Sequence, residues 1–230
     1  MLGVTDLNGW YGESHVLHGV NFDINEGEVV TLLGRNGAGK SSTLRAIMGL
    51  LKKRSGSIRF NGEETIRSSP IRIARQGIGY VPEERGIFAT LTVRENLMLP
   101  PRLRDTAFDL RRIFELFPNL HERLGSMGAT LSGGEQQMLA IARILRTGCK
   151  LLLLDEPTEG LAPVIVQQIE NVLLGLKSEG LTVVLVEQNL HFASIVSDRC
   201  FVIEQGRVVD SLLKSEFGAK AAKLQTYIGV

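Results

Sequence analysis

Cysteine is scarce: two residues in 230, Cys149 and Cys200, stand isolated and show no ligand spacing. A disulfide framework and a zinc module are thereby excluded, and a reducing compartment with buried thiols is the expected setting. No apolar run approaches the ~20 residues of a bilayer-spanning helix, so a membrane role has to come through a partner. Net charge is missing too. Lys and Arg number 26 against 25 Asp and Glu, which removes the bulk-charge argument for a nucleic-acid face. The local group Arg102, Arg104, Arg111 and Arg112 reads as a solvated helix face. Met1-Leu2-Gly3-Val4 has neither a charged nor an apolar leader region, so no signal peptide is expected. Internal repeats and low-complexity segments are absent as well. What remains, 43% hydrophobic and 22% charged residues, is ordinary for a globular chain that buries a sizeable core. One domain, with or without a lobe, is expected.

What the sequence does contain is concentrated at Gly34-Arg35-Asn36-Gly37-Ala38-Gly39-Lys40-Ser41-Ser42. An apolar run, Val29 to Leu33, precedes it and an amphipathic run, Ser41 to Leu50, follows, giving strand, glycine loop and helix. The spacing G-x-x-x-x-G-K-[ST] is that of a phosphate-cradling P-loop. A triphosphate needs several N–H donors aimed at one point, and glycine lets the backbone curl tightly enough to supply them. The helix start adds unpaired N–H groups and the positive end of its dipole. Lys40 is expected to reach the β and γ phosphates, and the Ser41 hydroxyl to ligate Mg²⁺.

Around this centre the pattern alternates. Residues 2–33 read as short strands broken at Asn8-Gly9 and Glu26-Gly27, with Trp10-Tyr11-Gly12 in a turn. Tyr11 there is either local packing or a platform for a purine face. Ser57 to Phe60 is a strand closed by the hairpin-type turn Asn61-Gly62. Ile71 to Gln76 reads as helix and Ile78 to Val81 as a strand ended by Pro82. Residues 83–147 change character: Arg94 to Leu99, Phe108 to Phe117 and Gly133 to Arg146 have helical periodicity with little strand signal. Lys150 to Glu156 is an uninterrupted apolar strand ending in two carboxylates, which suits a parallel strand buried on both faces. A helix, Val164 to Leu176, and a strand, Leu181 to Val186, follow. Then comes a strand pair around Gln205-Gly206 and a C-terminal helix. Alternation of this kind means an α/β fold with a mostly parallel sheet.

Carboxyl ends of parallel strands line the ligand crevice, so Asp155 is expected beside the P-loop, holding Mg²⁺ directly or through water. Glu156 is then placed to orient or deprotonate an attacking water. Hydrolysis of ATP follows from that pairing better than nucleotide storage does. A third stretch, Leu131-Ser132-Gly133-Gly134-Glu135-Gln136-Gln137, has the form of a helix start in which Ser132 and Glu135 make a capping box. The same N-terminus can bind an anion.

Three motifs in this order resemble the ATPases of ABC transporters along the whole chain. A P-loop kinase leaves Leu131 to Glu135 without explanation. The resemblance implies a P-loop NTPase fold with a RecA-like sheet, an N-terminal antiparallel β subdomain and a helical insertion. Residues 1–230 would form one domain, with its core at 1–82 and 148–230 and the helical subdomain at about 83–147. It implies that Tyr11 stacks on adenine. Gly34, Arg35, Asn36, Gly37, Ala38, Gly39, Lys40, Ser41 and Ser42 would wrap the phosphates of ATP. Ser132, Gly133, Gly134 and Glu135 would complete the site of a second ATPase subunit paired head to tail. Further implied partners are two membrane permease subunits and, through them, an extracytoplasmic solute-binding protein, with no nucleic acid. The chain would lie peripherally on the cytoplasmic face of the inner or plasma membrane.

A narrower resemblance is to the ATPases of branched-chain amino acid importers. It rests on Tyr80 to Phe88, Leu91 to Leu97, Leu131 to Arg143, Gly160-Leu161-Ala162-Pro163 and Val186-Glu187-Gln188-Asn189. Within it Glu83 stands where most ABC ATPases carry a glutamine near the metal, Gln188 where most carry a switch histidine, and Ala162 where most carry an aspartate. Glutamine hydrogen-bonds a γ-phosphate but offers no cation. Gln188 and Glu156 are the implied catalytic pair, with Ser41, Glu83 and Asp155 toward Mg²⁺. His191 is either a substitute switch residue or a surface histidine. Urea or short-amide import, a non-transport ABC clamp, and homodimer against heterodimer remain open on the sequence.

Overall fold

The computed structural model describes residues 1–105 and 107–228. The chain opens with β1 (Leu2–Tyr11) and β2 (Ser14–Ile24), an antiparallel pair turning at Gly12, whose φ of 59° is left-handed. β3 (Val29–Leu33) leads through the P-loop into α1 (Lys40–Ile47). β4 (Lys53–Phe60) then returns to the free edge of β1, and the turn Asn61-Gly62 adds β5 (Glu63–Glu64). Both turn residues have positive φ, 51° and 83°, which is the primed-turn geometry that matches strand twist.

One expectation fails here. β1 runs straight through Asn8-Gly9, with register shifts between Leu7 and Trp10 and no chain reversal. Gly9 serves close packing: a Cβ on it would lie 2.5 Å from Leu51 Cδ2. Trp10 is likewise in the strand, stacked on His15 with ring centroids 4.4 Å apart.

α2 (Pro70–Gln76) and β6 (Ile78–Val81) come next, followed by α3 (Val93–Met98), α4 (Leu110–Leu116), α5 (Pro118–Glu122) and α6 (Gly133–Leu145). Between β6 and α6 the described residues hold no strand beyond an isolated bridge from Thr92 to Met127. α4 starts later than its periodicity suggests because Asp109 caps it, accepting from the Arg112 amide at 2.8 Å. Three of the four arginines expected on a solvated helix face are engaged within the protein, and Arg102 and Arg104 lie ahead of α4 and not on it. Arg102 and Arg104 donate to the carbonyls of Ala107 and Arg75, while Arg112 pairs with Glu115 and Glu179.

β7 (Leu151–Asp155), α7 (Pro163–Ser178), β8 (Thr182–Glu187), α8 (Leu190–Val196), β9 (Arg199–Glu204), β10 (Arg207–Leu213) and α9 (Ala221–Ile228) complete the chain. The short α8 escapes a periodicity search. Its local signal is the cap Asn189, whose Oδ1 accepts from the Phe192 amide at 3.1 Å.

The larger sheet has the order β10-β9-β3-β8-β7-β6, parallel except at the β10 edge. β3, β7 and β8 are buried at every residue, which is why their sequences lack alternation. One face packs on α1 and the antiparallel sheet through residues such as Leu32, Leu44 and Leu153. The other carries α6 and α7 through Leu139, Leu173 and Leu185. Since β3, β8 and β7 are parallel neighbours, their carboxyl ends open on one side and bring the P-loop, Gln188 and Asp155-Glu156 together.

Candidate nucleotide site

The P-loop leaves β3 at Gly34, where a Cβ would lie 2.2 Å from the Ile203 carbonyl oxygen; only glycine fits against that strand. At Gly39, φ is 108°, and this residue opens α1 with no side-chain cap. Among the described residues the amides of Gly37, Gly39, Lys40, Ser41 and Ser42 find no acceptor in the chain, leaving them free for phosphate oxygens. The rear of the loop is buttressed. Ala38 is buried, its carbonyl accepts from the Gly206 amide at 2.8 Å, and the Gly206 carbonyl accepts from the His18 amide at 2.8 Å. Lys40, only 3% exposed, donates to the Gly34 and Arg35 carbonyls at 2.8 and 3.1 Å. Its Nζ also stands 3.3 Å from Glu156 Oε1.

A cavity of about 320 Å³ is lined by Val16, Asn36, Gly37, Gly39, Lys40, Ser41, Ser42, Glu83, Glu156 and Glu159. Asp155 lies buried beside it. Its Oδ2 accepts from the Tyr80 hydroxyl at 2.9 Å, whereas Oδ1 is buried without a hydrogen-bond partner. Burial pushes the Asp155 carboxyl up, against the pull of the neighbouring Ser41 and Tyr80 hydroxyls. Glu83 is raised by burial and then by the charges of Glu156 and Asp155.

Glu156 has a φ of 47°, a left-handed conformation that costs a non-glycine residue on the order of 1–3 kcal/mol and is found at functional sites. It turns the carboxylate toward Lys40 and Gln188, whose Nε2 is 3.2 and 3.1 Å from the two Glu156 oxygens. The same Nε2 reaches Asn36 Oδ1 at 2.5 Å, so Gln188 joins the P-loop to Glu156. Burial alone would raise Glu156. Hydrogen bonding from Glu159, the Lys40 charge and the Gln188 amide outweigh it and hold the carboxyl below the usual range.

Glu159, hydrogen-bonded to Glu156 and then penalised by burial and by its charge, is pushed up to about 7. The two carboxyls therefore share one proton until pH nears 7. Folded Glu159 retains a proton that the unfolded chain releases above its ordinary value of 4.5. Stability of the nucleotide-free protein should thus fall as pH rises from 4.5 to about 7. Glu159→Gln should flatten that stretch of a thermal-denaturation profile; an unaltered slope would mean that no shared proton exists.

The remaining expected residues are spread out. Ser132 caps α6 as a capping box: its Oγ accepts from the Glu135 amide at 3.3 Å and its amide donates to Glu135 Oε2 at 2.7 Å. Gly133, against the Arg85 guanidinium, and the buried Gly134, against Ile165, complete the helix start. None of these four lines the cavity. Tyr11 is 45% exposed at the end of β1 and also stands outside the lining. His191 is on α8, beside a groove with Leu33 and Phe217, and not at the phosphate cavity. Ala162 caps α7 without a side-chain hydrogen bond. Val16 and Glu159 at the cavity and Glu187 behind it escaped the sequence reading. The strand-end position that singles out Asp155 also marks Glu187.

A glycine cradle on the central strand, with a carboxylate strand beside it, defines a P-loop nucleoside triphosphatase with an antiparallel N-terminal sheet and a helical insertion. Residues 17–159 match the family model described as ABC transporter. The high-affinity branched-chain amino acid transport ATP-binding protein BraG of Pseudomonas aeruginosa is 46% identical over 212 residues, 91% of each chain. The probable branched-chain amino acid transport ATP-binding protein LivF of Archaeoglobus fulgidus is 38% identical over 212 residues, 90% of each. The lipopolysaccharide export system ATP-binding protein LptB of Escherichia coli K12 is 36% identical over 206 residues, 86% of this chain and 85% of that one. A solved structure of an ATP binding subunit of an ABC transporter superposes with a TM-score of 0.83 at 30% identity, covering 98% of both chains. The chain belongs to the ABC transporter family, as an ATP-binding and ATP-hydrolysing cassette.

Proposed function

We propose that this cassette energises the import of branched-chain amino acids. The observation that carries the solute class is the 46% identity to BraG over 91% of the chain. The cluster of Lys40, Glu156 and Gln188 supports the hydrolytic step.

In this reading the free P-loop amides receive the β and γ phosphates, and Lys40 turns from the Gly34 and Arg35 carbonyls to the same oxygens. Tyr11 stacks on the adenine and Val16 walls the cavity next to it. Glu156, held ionised, accepts the proton of the attacking water, and Gln188 hydrogen-bonds both Glu156 and the γ-phosphate. The Asp155 Oδ1 left without a partner and the adjacent Ser41 hydroxyl suit a hard cation, with Glu83 nearby. Among the described residues no cluster of three or more His, Cys, Asp or Glu forms a cage for a metal; Mg²⁺ is ordinarily held by few carboxylates together with phosphate oxygens and water. When bound, Mg²⁺ neutralises charge across the β and γ phosphates.

Ser132, Gly133, Gly134 and Glu135 of a second ATPase subunit would close the site from the other side. Residues 83–147 would move as a helical lobe against the core at 1–82 and 148–230. No helix among the described residues is long and apolar enough to cross a membrane. In this reading the chain acts at the cytoplasmic face through two permease subunits, served by an extracytoplasmic solute-binding protein, as the likeness to BraG suggests.

The test is reconstitution with those permeases and that binding protein in vesicles. Leucine-loaded binding protein should stimulate both ATP hydrolysis and uptake. Stimulation by urea or short amides alone would reassign the solute, and solute efflux in place of uptake would reverse the direction.

A further inference from the structure

Glu187, the last residue of β8, is 3% exposed and has no salt-bridge partner among the described residues. Burying a carboxylate without a cation is costly unless hydrogen-bond donors replace its hydration. Here four do. Oε1 accepts from the Thr158 hydroxyl at 2.8 Å and the Thr158 amide at 3.3 Å. Oε2 accepts from the amides of Gln188 at 3.2 Å and Asn189 at 3.3 Å. One oxygen thus grips the loop that leaves β7 and the other grips the loop that leaves β8. Thr158 lies two residues beyond Glu156 in the first loop, and Gln188 opens the second. Glu187 itself does not line the phosphate cavity.

We propose that Glu187 is a positioning residue that clamps these two loops together, so that Glu156 and Gln188 reach the γ-phosphate as one unit. A neutral filler at this position would pack as well and leave the two loops to move separately. The proposal rests on the hydrolytic reading of Glu156 and Gln188. It extends that reading to a residue that touches neither nucleotide nor water.

The chemistry of the clamp supplies its test. All four partners present hydrogens, and a carboxylate accepts from all of them. The amide of Glu187→Gln keeps the shape but turns an NH₂ toward one pair of donors, opening one arm. Misplacement of reacting groups by about 1 Å can lower a rate on the order of 100-fold. Glu187→Gln, assayed in the assembled transporter, should therefore lower kcat about tenfold or more, with KM and the affinity for ATP measured in EDTA changed by less than about threefold. Thr158→Val removes only the hydroxyl arm. It should lower kcat less, again at constant affinity, and should add little to the loss in Glu187→Gln, because both changes open the same clamp.

Unchanged kcat in Glu187→Gln overturns the proposal, as does a loss of kcat and affinity in equal proportion. Should Glu187→Gln fail to fold, Thr158→Val decides: a lower kcat at constant affinity supports the clamp, and an unchanged kcat removes it. Glu156→Gln serves as the control. If that variant hydrolyses ATP normally, the hydrolytic reading is wrong; if it is inactive while Glu187→Gln is normal, only the clamp is wrong.

Discussion

Glu156→Gln should leave ATP binding intact while lowering turnover by about 10²- to 10⁴-fold, the range lost with a general base. Three features of the site lead to this figure. The Glu156 carboxyl is held below the usual range, so it is ionised at neutral pH and able to accept a proton. Its left-handed backbone and its contacts to Lys40 and Gln188 fix where that proton is received. Glutamine reproduces the shape and still offers an oxygen to Lys40, so the cradle survives and only basicity is lost. The substitution also removes one of the negative charges that line the cavity, which should favour binding of a triphosphate. ATP-loaded pairs of ATPase subunits should accumulate and be visible by light scattering, while phosphate release falls. Turnover above a tenth of the parent rate would assign the base to another group.

Lys40→Ala should have the opposite signature, losing the nucleotide itself. Lys40 is the buried cation of a cavity that also holds Glu83, Glu156 and Glu159, with Asp155 beside it. Breaking a buried ion pair by removing one partner costs about 3–5 kcal/mol, and every 1.4 kcal/mol is about tenfold in affinity. ATP affinity should therefore fall on the order of 10²-fold or more in a calorimetric titration. The Gly34 and Arg35 carbonyls lose their donor as well, so the nucleotide-free protein should melt at a lower temperature. Normal ATP affinity in this variant would contradict the role given to the loop. Together the two variants separate holding the phosphate from cutting it.

Much of this was legible in the sequence because its signals are local. Val29 to Leu33 and Leu151 to Asp155 are continuous apolar runs that only a doubly covered strand tolerates, and the capping box at Ser132 is written in four consecutive residues. Glycine was less dependable as punctuation. Gly9 resembles a break, but the need for it comes from Leu51 packing across the strand, a contact that no neighbouring residue reveals. Glu187 and Glu159 were missed for a similar reason. Each is an ordinary acidic residue in sequence, and its meaning comes from what faces it: three amides and a hydroxyl in one case, another carboxyl in the other. Tyr11 is the converse case. The family resemblance implies that it stacks on adenine, and nothing in its own surroundings marks it: it stands half exposed at a strand end, outside the lining of the phosphate cavity.

The back of the P-loop is built by Ile203 and Gly206, and β3 takes both of its neighbours, β8 and β9, from the far end of the chain. During synthesis the phosphate motif therefore leaves the ribosome long before the strands that shape it. Until β9 and its turn arrive, residues 34–42 lack the Ile203 carbonyl and the Gly206 amide that stand behind them in the folded chain. A nascent chain cannot capture ATP early, and a truncated one that carries the complete motif would still lack the site.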